Sequence, residues 1–296
     1  MINSLTENTI FTQSWWWDAV CPPQNLREVQ TEHGSVWRMA TARRLGIFEV
    51  YTMPPLTQHA GPFLTDRRDL VRFFEQIKPK QQLYLNIGFE LNCNEIDNLK
   101  KFGIYVAKRQ SHRLEDLSDL EAVYCNVKPA RQRQIRKAER LLKTVEIDDI
   151  EPLIALQAET FRRRGLRSPY PPQTVRNLYR AVRQHDAGRL IALADTQNRI
   201  MACGLFVHDD TTCYSLTHGY DTLAHDMGAG SLLQWEGIRH AASKNLVFDF
   251  EGSNIESIAR FNSSFGAIPV TYSRIERNTT FFRISERVWH LLKRIR

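Results

Sequence analysis

Two stretches of this chain, LYLNIGFELNCNEIDNLKKFGIYV at 83–106 and LVFDFEGSNIESIARFNSSFGAIP at 246–269, constrain the fold more than any other feature. A shift of 163 residues takes Leu83 to Leu246, Asn86 to Asp249, and the pair Phe102-Gly103 to Phe265-Gly266. Both stretches read as strand, helix, Phe-Gly, strand. The preceding segments agree, because 67–78 has helical period and follows strand-like stretches at 35–42 and 45–52. Matching element order around one shift implies two similar α/β halves.

The second half gives the element order in more detail. KTVEI (143–147) is a short strand, and 151–163 and 171–186 have helical period on either side of the turn-like GLRSPYPPQ. RLIALADT, RIMACGLFVHD and TTCYSLTHGY follow as strands, with QN and DD at their turns. After HDMGAG comes a helix that carries Leu232, Trp235, Ile238 and Ala242 on one face. LVFDF is then a buried strand, 254–264 a helix, and IPVTYSRI and TTFFRI two closing strands. The expected order is β-α-α-β-β-β-α-β-α-β-β, with residues 1–142 forming one half and 143–296 the other. A chain with only 14 glycines in 296 residues places Gly228 and Gly230 at the strand-to-helix junction. Lacking Cβ atoms, they let backbone N–H groups close on an anion at a helix N-terminus; the alternative is a plain turn.

Between the halves, VKPARQRQIRKAERLLKTVEI starts with Pro129, which suits a first helical turn. Ile135, Ala138 and Leu142 make its apolar stripe, and Arg133, Arg136, Lys137 and Arg140 fall on another face. That basic face is either solvated or a cationic wall toward an anionic substrate in a cleft between the halves. FRRRGLR (161–167) is a second basic cluster, at a helix C-terminus where cations are favoured. SERVWHLLKRIR at the end is a basic amphipathic helix with Val288, Leu291, Leu292 and Ile295 on one side. It either docks on the first half or makes weak contact with a membrane surface.

Composition sets the outer limits. With 42% hydrophobic and 25% charged residues the chain is globular. Forty Lys and Arg against 33 Asp and Glu give a net charge of +7, which favours anionic partners. The first cation is Arg27, too late for a secretory signal, and no run approaches the roughly 18 apolar residues of a membrane-spanning helix. Five scattered cysteines, never spaced CxxC, read as reduced thiols of a cytoplasmic protein. Nine histidines show no HExxH pair, so no metal is expected.

The element order of 143–284, with its glycine-rich turn, resembles the GNAT acyltransferase fold. That family's donor loop has the pattern Arg/Gln-x-x-Gly-x-Gly/Ala. Here His225 fills the first slot and Gly228 and Gly230 the glycine slots, so the resemblance implies that His225, Met227, Gly228, Ala229, Gly230 and Ser231 hold an acyl donor. WWWDAV near the start, MPPLTQHAGP (53–62), RQIRKAER (133–140), DFEGSN (249–254) and RFNSSFGAIP (260–269) together resemble the Fem-type double-GNAT acyltransferases. This implies an α/β chain of two tandem GNAT-like domains with mixed sheets flanked by helices, the first truncated and on the acceptor side. It also implies an acyl-CoA-type or aminoacyl-tRNA donor and an amine acceptor. The sequence departs from the pattern where GNAT enzymes often carry a general-acid Tyr, because Phe261 stands in that slot.

Acyl transfer to an amine needs a base and hydrogen-bond donors for developing charge. Asp249 and Glu251, two apart at a strand end, point to the same side if the strand continues, and both are candidate bases. Tyr220 is a candidate proton donor in place of the missing Tyr. His218, Gln58, His59, Arg136 and Lys137 are candidate acceptor-side groups. The reading is an N-acyltransferase with a CoA-type thioester donor and no metal. Two alternatives stay open: an aminoacyl-tRNA-dependent transferase acting on cell-wall precursors, and an inactive GNAT-fold binding module.

Overall fold

The structure, a computed structural model, describes residues 9–285 apart from 80, 164, 253, 254, 281 and 283. The expected C-terminal helix with Val288, Leu291, Leu292 and Ile295 therefore lies outside the described residues, as does Arg164. The chain forms two compact units, one of residues up to 109 together with those from 271 on, the other of 110–270.

In chain order the first unit contains α1 (Ser14–Val20), β1 (Leu26–Gln30), β2 (Val36–Arg44), β3 (Phe48–Thr52), α2 (Asp69–Gln76), β4 (Gln82–Asn86) and α3 (Cys93–Lys101). Strand β5 (Tyr105–Leu114) carries the chain into the second unit. There follow α4 (Leu120–Asn126), α5 (Pro129–Leu141), β6 (Lys143–Glu146), α6 (Glu151–Arg162), α7 (Pro172–Gln184), β7 (Gly188–Ala194), β8 (Ile200–His208) and β9 (Thr212–Tyr220). The short α8 (Ala224–Met227), α9 (Ala229–Ser243), β10 (Val247–Asp249) and α10 (Glu256–Ser263) complete it, and β11 (Ile268–Arg277) leads back to the first unit.

Strand order is β1-β2-β3-β4-β11 in the first unit and β5-β10-β9-β8-β7-β6 in the second. The sequence repeat reappears in the pairing. β4 is parallel to β3 and antiparallel to β11, while β10 is parallel to β9 and antiparallel to β5. Asn86 lies in register with Arg274, which donates Nε–H to its Oδ1 at 2.9 Å. Asp249 lies in register with Arg113, which donates Nε–H to its Oδ2 at 2.7 Å. Gly103 and Gly266 both adopt left-handed φ, +70° and +86°, which stops α3 and α10. Each half's last strand thus completes the sheet of the other unit. That exchange accounts for the compact units dividing at 109/110 and 270/271.

In the second unit, Ile135 and Ala138 of α5 are fully buried, and Leu232, Leu233 and Ile238 of α9 pack into the same core with Phe206 and Phe248. Burying a side chain the size of Ile135 contributes about 1.5–3 kcal/mol. In the first unit Trp16, Trp17 and Trp37 are buried. Their indole N–H groups are satisfied by Thr57 Oγ1, the Phe11 carbonyl and the Ala60 carbonyl. The expected strand TTFFRI is corrected: Thr280, Phe282 and Ile284 are helical. Phe282 is buried edge-on against Phe48, ring centroids 5.0 Å apart.

Candidate functional site in the second unit

Strand β10 pairs with β9 over three positions only, Val247 with Thr212, Phe248 with Cys213, and Asp249 with Tyr214. β9 itself continues to Tyr220, paired with β8 on its other side. Its register slips from Leu205–Thr217 to Phe206–Ser215, a bulge that leaves Leu216 unmatched and re-aims the residues beyond it. Past Asp249 the chain turns away at Glu251, held at φ +59°. Parallel neighbours that part at their C-terminal ends open a crevice of the kind in which α/β sheets hold ligands.

Asp249, a candidate base by sequence, has the surroundings of a structural acid. It is completely buried, and its oxygens accept from Ser111 Oγ, Arg113 Nε and the Glu251 amide. Three of its lone-pair directions are used, and complete burial keeps the carboxylate from solvent. Glu251 is the opposite case. Its Oε1 is buried with no hydrogen-bond partner among the described residues, and its backbone is in a region that costs an L-residue energy. Burial, reinforced by the Asp249 charge, raises its pKa well above the usual carboxylate range. Tyr170, in the loop between α6 and α7, is raised by burial and by the nearby Glu251 charge.

On β9, Ser215, His218 and Gln234 of α9 form a buried polar cluster. Ser215 donates to Gln234 Oε1 at 2.9 Å, and His218 Nε2 lies 2.9 Å from Ser215 Oγ and 3.1 Å from Gln234 Nε2. Burial lowers the His218 pKa to about 4, so its ring is neutral, and its tautomer sets whether Nε2 accepts from Gln234 or donates to Ser215. Tyr220 stacks on His218 with centroids 6.3 Å apart, and burial pushes its phenol well up. It therefore stays protonated, the form a proton donor requires.

The glycine loop is built by α8 and the first turn of α9. Gly228 sits at φ +78°, and a Cβ there would lie 2.6 Å from the Gln134 carbonyl of α5. Its close approach is thus to this chain's own backbone. Gly230 differs, since a Cβ there would meet only the Tyr220 ring, at 3.6 Å and beyond. The Ser231 and Leu232 amides turn back on the Gly228 carbonyl at 3.0 and 3.2 Å, and those of Ala229 and Gly230 have no partner among the described residues. Gly228→Ala is therefore expected to destabilise by about 2–4 kcal/mol. Gly230→Ala, a helix position with room, is expected to hold or raise the melting temperature. Thermal denaturation of both variants checks the pair.

His225 projects into solvent with its side chain 95% exposed beside Asp226, at 3.3 Å. The Ser231 hydroxyl is engaged by Arg131 at 2.7 Å and Gln134 at 2.8 Å. Arg131, which the sequence did not single out, holds its guanidinium 4.2 Å from the Phe261 ring centre. Arg136 and Lys137 are exposed on α5 and, with Arg133, Arg140 and Leu141, line a surface groove of ≈ 350 Å³. Gln58 and His59 belong to the first unit. Both Gln58 amide atoms are buried without a partner among the described residues, and His59 packs edge-on to Tyr272 at 4.9 Å.

The parted β9 and β10, the bulge and the glycine-started α9 are the arrangement of a GNAT-type fold. The family model "Acetyltransferase (GNAT) domain" matches residues 129–256, which include the loop and Glu251. Over nearly the whole chain the structure has the tandem GNAT fold. It is similar to FemX, with a TM-score of 0.66 at 10% identity, covering 89% of this chain and 91% of FemX. It is similar to L-PGS from Bacillus licheniformis, at 0.56 and 10% identity over 86% and 85%. A tandem GNAT protein from the clavulanic acid biosynthesis pathway aligns at 0.53 and 12% identity over 90% and 87%. No curated protein sequence matches the chain.

Proposed function

We propose that the second unit transfers an acyl group from a CoA-type thioester to an amine. The observation that carries this reading is the parting of β9 from β10, with Glu251 Oε1 beyond β10 buried and without a partner among the described residues, and Tyr220 facing Gly230 at the end of β9. The Ala229 and Gly230 amides, which have no partner among the described residues, fit a phosphorylated donor, because they supply N–H groups at a helix N-terminus. When bound, such a donor supplies the activated acyl group. Glu251, with raised proton affinity, takes the proton an ammonium acceptor must lose, and Tyr220 holds a proton to give. Among the described residues no helix is long and apolar enough to cross a membrane.

The exposed cations of α5, which form no ion pair among the described residues, favour a second reading in which the donor is an aminoacyl-tRNA. Titration at low and high salt separates the two. Coenzyme A is expected to bind with weak salt dependence, and Gly230→Val to weaken that binding about tenfold or more by filling the space before Tyr220. Charging-dependent, steeply salt-sensitive tRNA binding with no response to acyl thioesters would replace the first reading with the second. Binding of neither leaves the GNAT fold as a module for another ligand.

A further inference from the structure

Three helices meet at one side chain. Arg131, in the first turn of α5, donates Nη1–H to Ser231 Oγ of α9 and to Gln134 Oε1, and Nε–H to Ser264 Oγ at the end of α10. Its guanidinium carbon lies over the Phe261 ring, 4.2 Å from the centre, and 5.6 Å from that of Phe265. It forms no ion pair among the described residues, and burial lowers its pKa. A partly desolvated cation beside the positive end of α9 is unfavourable by itself, so the ring faces and neutral acceptors must hold it there.

We infer that Arg131 is the positioning residue of the loop 228–231, and that Phe261 is its platform. The guanidinium fork reaches the loop and α10 together, while the Gln134 carbonyl backs Gly228 at the distance only a glycine allows. Phe261 stands in the slot where the resembling family carries a tyrosine, and here its ring faces Arg131. The residue is thus committed to shaping the loop, and no hydroxyl is needed at that position for this task. A lysine at 131 keeps the charge but lacks the planar fork, so it reaches one acceptor at a time.

That the loop holds the donor rests on the proposed function; that Arg131 sets its conformation does not. Hydrogen exchange reads the second claim without any ligand, because the Gly228, Ser231 and Leu232 amides are all hydrogen-bonded. Arg131→Met is expected to speed exchange at those amides about tenfold or more while β7 and β8 keep their protection. Phe261→Leu should give a smaller increase in the same amides, and Phe261→Tyr, which retains a ring face, none. Unchanged loop exchange in Arg131→Met and Phe261→Leu, with β7 and β8 protected, overturns the inference. With coenzyme A as probe, Arg131→Lys is expected to raise the dissociation constant about tenfold, and Phe261→Tyr to leave it unchanged. If the wild-type protein binds no coenzyme A, the functional reading fails while the exchange result still decides the role of Arg131.

Discussion

Glu251→Gln is expected to slow acyl transfer by about 10²–10⁴-fold while coenzyme A affinity stays within about twofold. Glutamine is nearly isosteric and keeps a hydrogen-bonding head, so the substitution removes proton transfer and little else. It also removes a liability, since a carboxyl whose buried Oε1 has no partner among the described residues costs the fold whatever it takes to keep or neutralise its charge. The protein should therefore gain stability as it loses rate. A trade of this sign is what a group kept for chemistry shows, and a purely structural residue shows the reverse. Single-turnover rates with a thioester donor, beside urea unfolding at the same pH, check both halves. Full activity in Glu251→Gln would remove Glu251 from the mechanism.

The pH dependence of that gain follows from the direction of the shift. Glu251 is raised well above the ordinary glutamate value of 4.5, so between 4.5 and its folded pKa the native state binds more protons than the unfolded chain. Its contribution is fully present at low pH and is lost as pH rises through that window. Each pKa unit of difference is worth about 1.4 kcal/mol. The stability advantage of Glu251→Gln should accordingly be largest above the folded pKa and vanish toward pH 4.5. Asp195, lowered by the Arg199 and Gln197 amides and the Arg199 charge, runs the other way and loses stability as pH falls.

The repeat was legible because its marks have local causes. A left-handed glycine ends α3 and α10, and a polar residue at the end of β4 and of β10 takes an arginine from the neighbouring strand. The exchange of β5 and β11 was not legible, because an apolar alternation states that a strand exists and not which strand it joins. TTFFRI failed for a related reason: six residues rich in Thr and Phe suit a strand by propensity, but the burial of Phe282 against Phe48 sets a helix there. Asp249 and Glu251 looked equivalent under two-residue alternation. That rule lapses at the left-handed Glu251, and the partners that lock Asp249 come from Ser111 and Arg113, far away in sequence. Arg131 was missed likewise, because its contact with Ser231 spans 100 positions.

Asp249→Ala is expected to cost about 3–5 kcal/mol in urea unfolding, the loss typical of removing one partner from a buried ion pair. The carboxylate is fully buried, whereas the Arg113 side chain keeps 18% exposure, so water relieves part of the stranded charge and the lower end of that range is expected. Ser111 Oγ and the Glu251 amide also lose their acceptor, which frees the turn that carries Glu251. Asp249→Asn should be milder, because the first unit already places Asn86 in the matching register position and satisfies it from Arg274. Its effect should fall on the chemistry instead. The Asp249 charge helps to raise Glu251, so a neutral amide there moves the Glu251 pKa down and carries the acidic limb of the rate profile with it. The two variants of this one residue separate its scaffold role from its effect on Glu251: Asp249→Ala lowers the unfolding midpoint, Asp249→Asn shifts the pH profile. If Asp249→Ala instead keeps the wild-type midpoint and abolishes turnover, Asp249 is the proton acceptor, and the roles assigned to the two carboxyls must be exchanged.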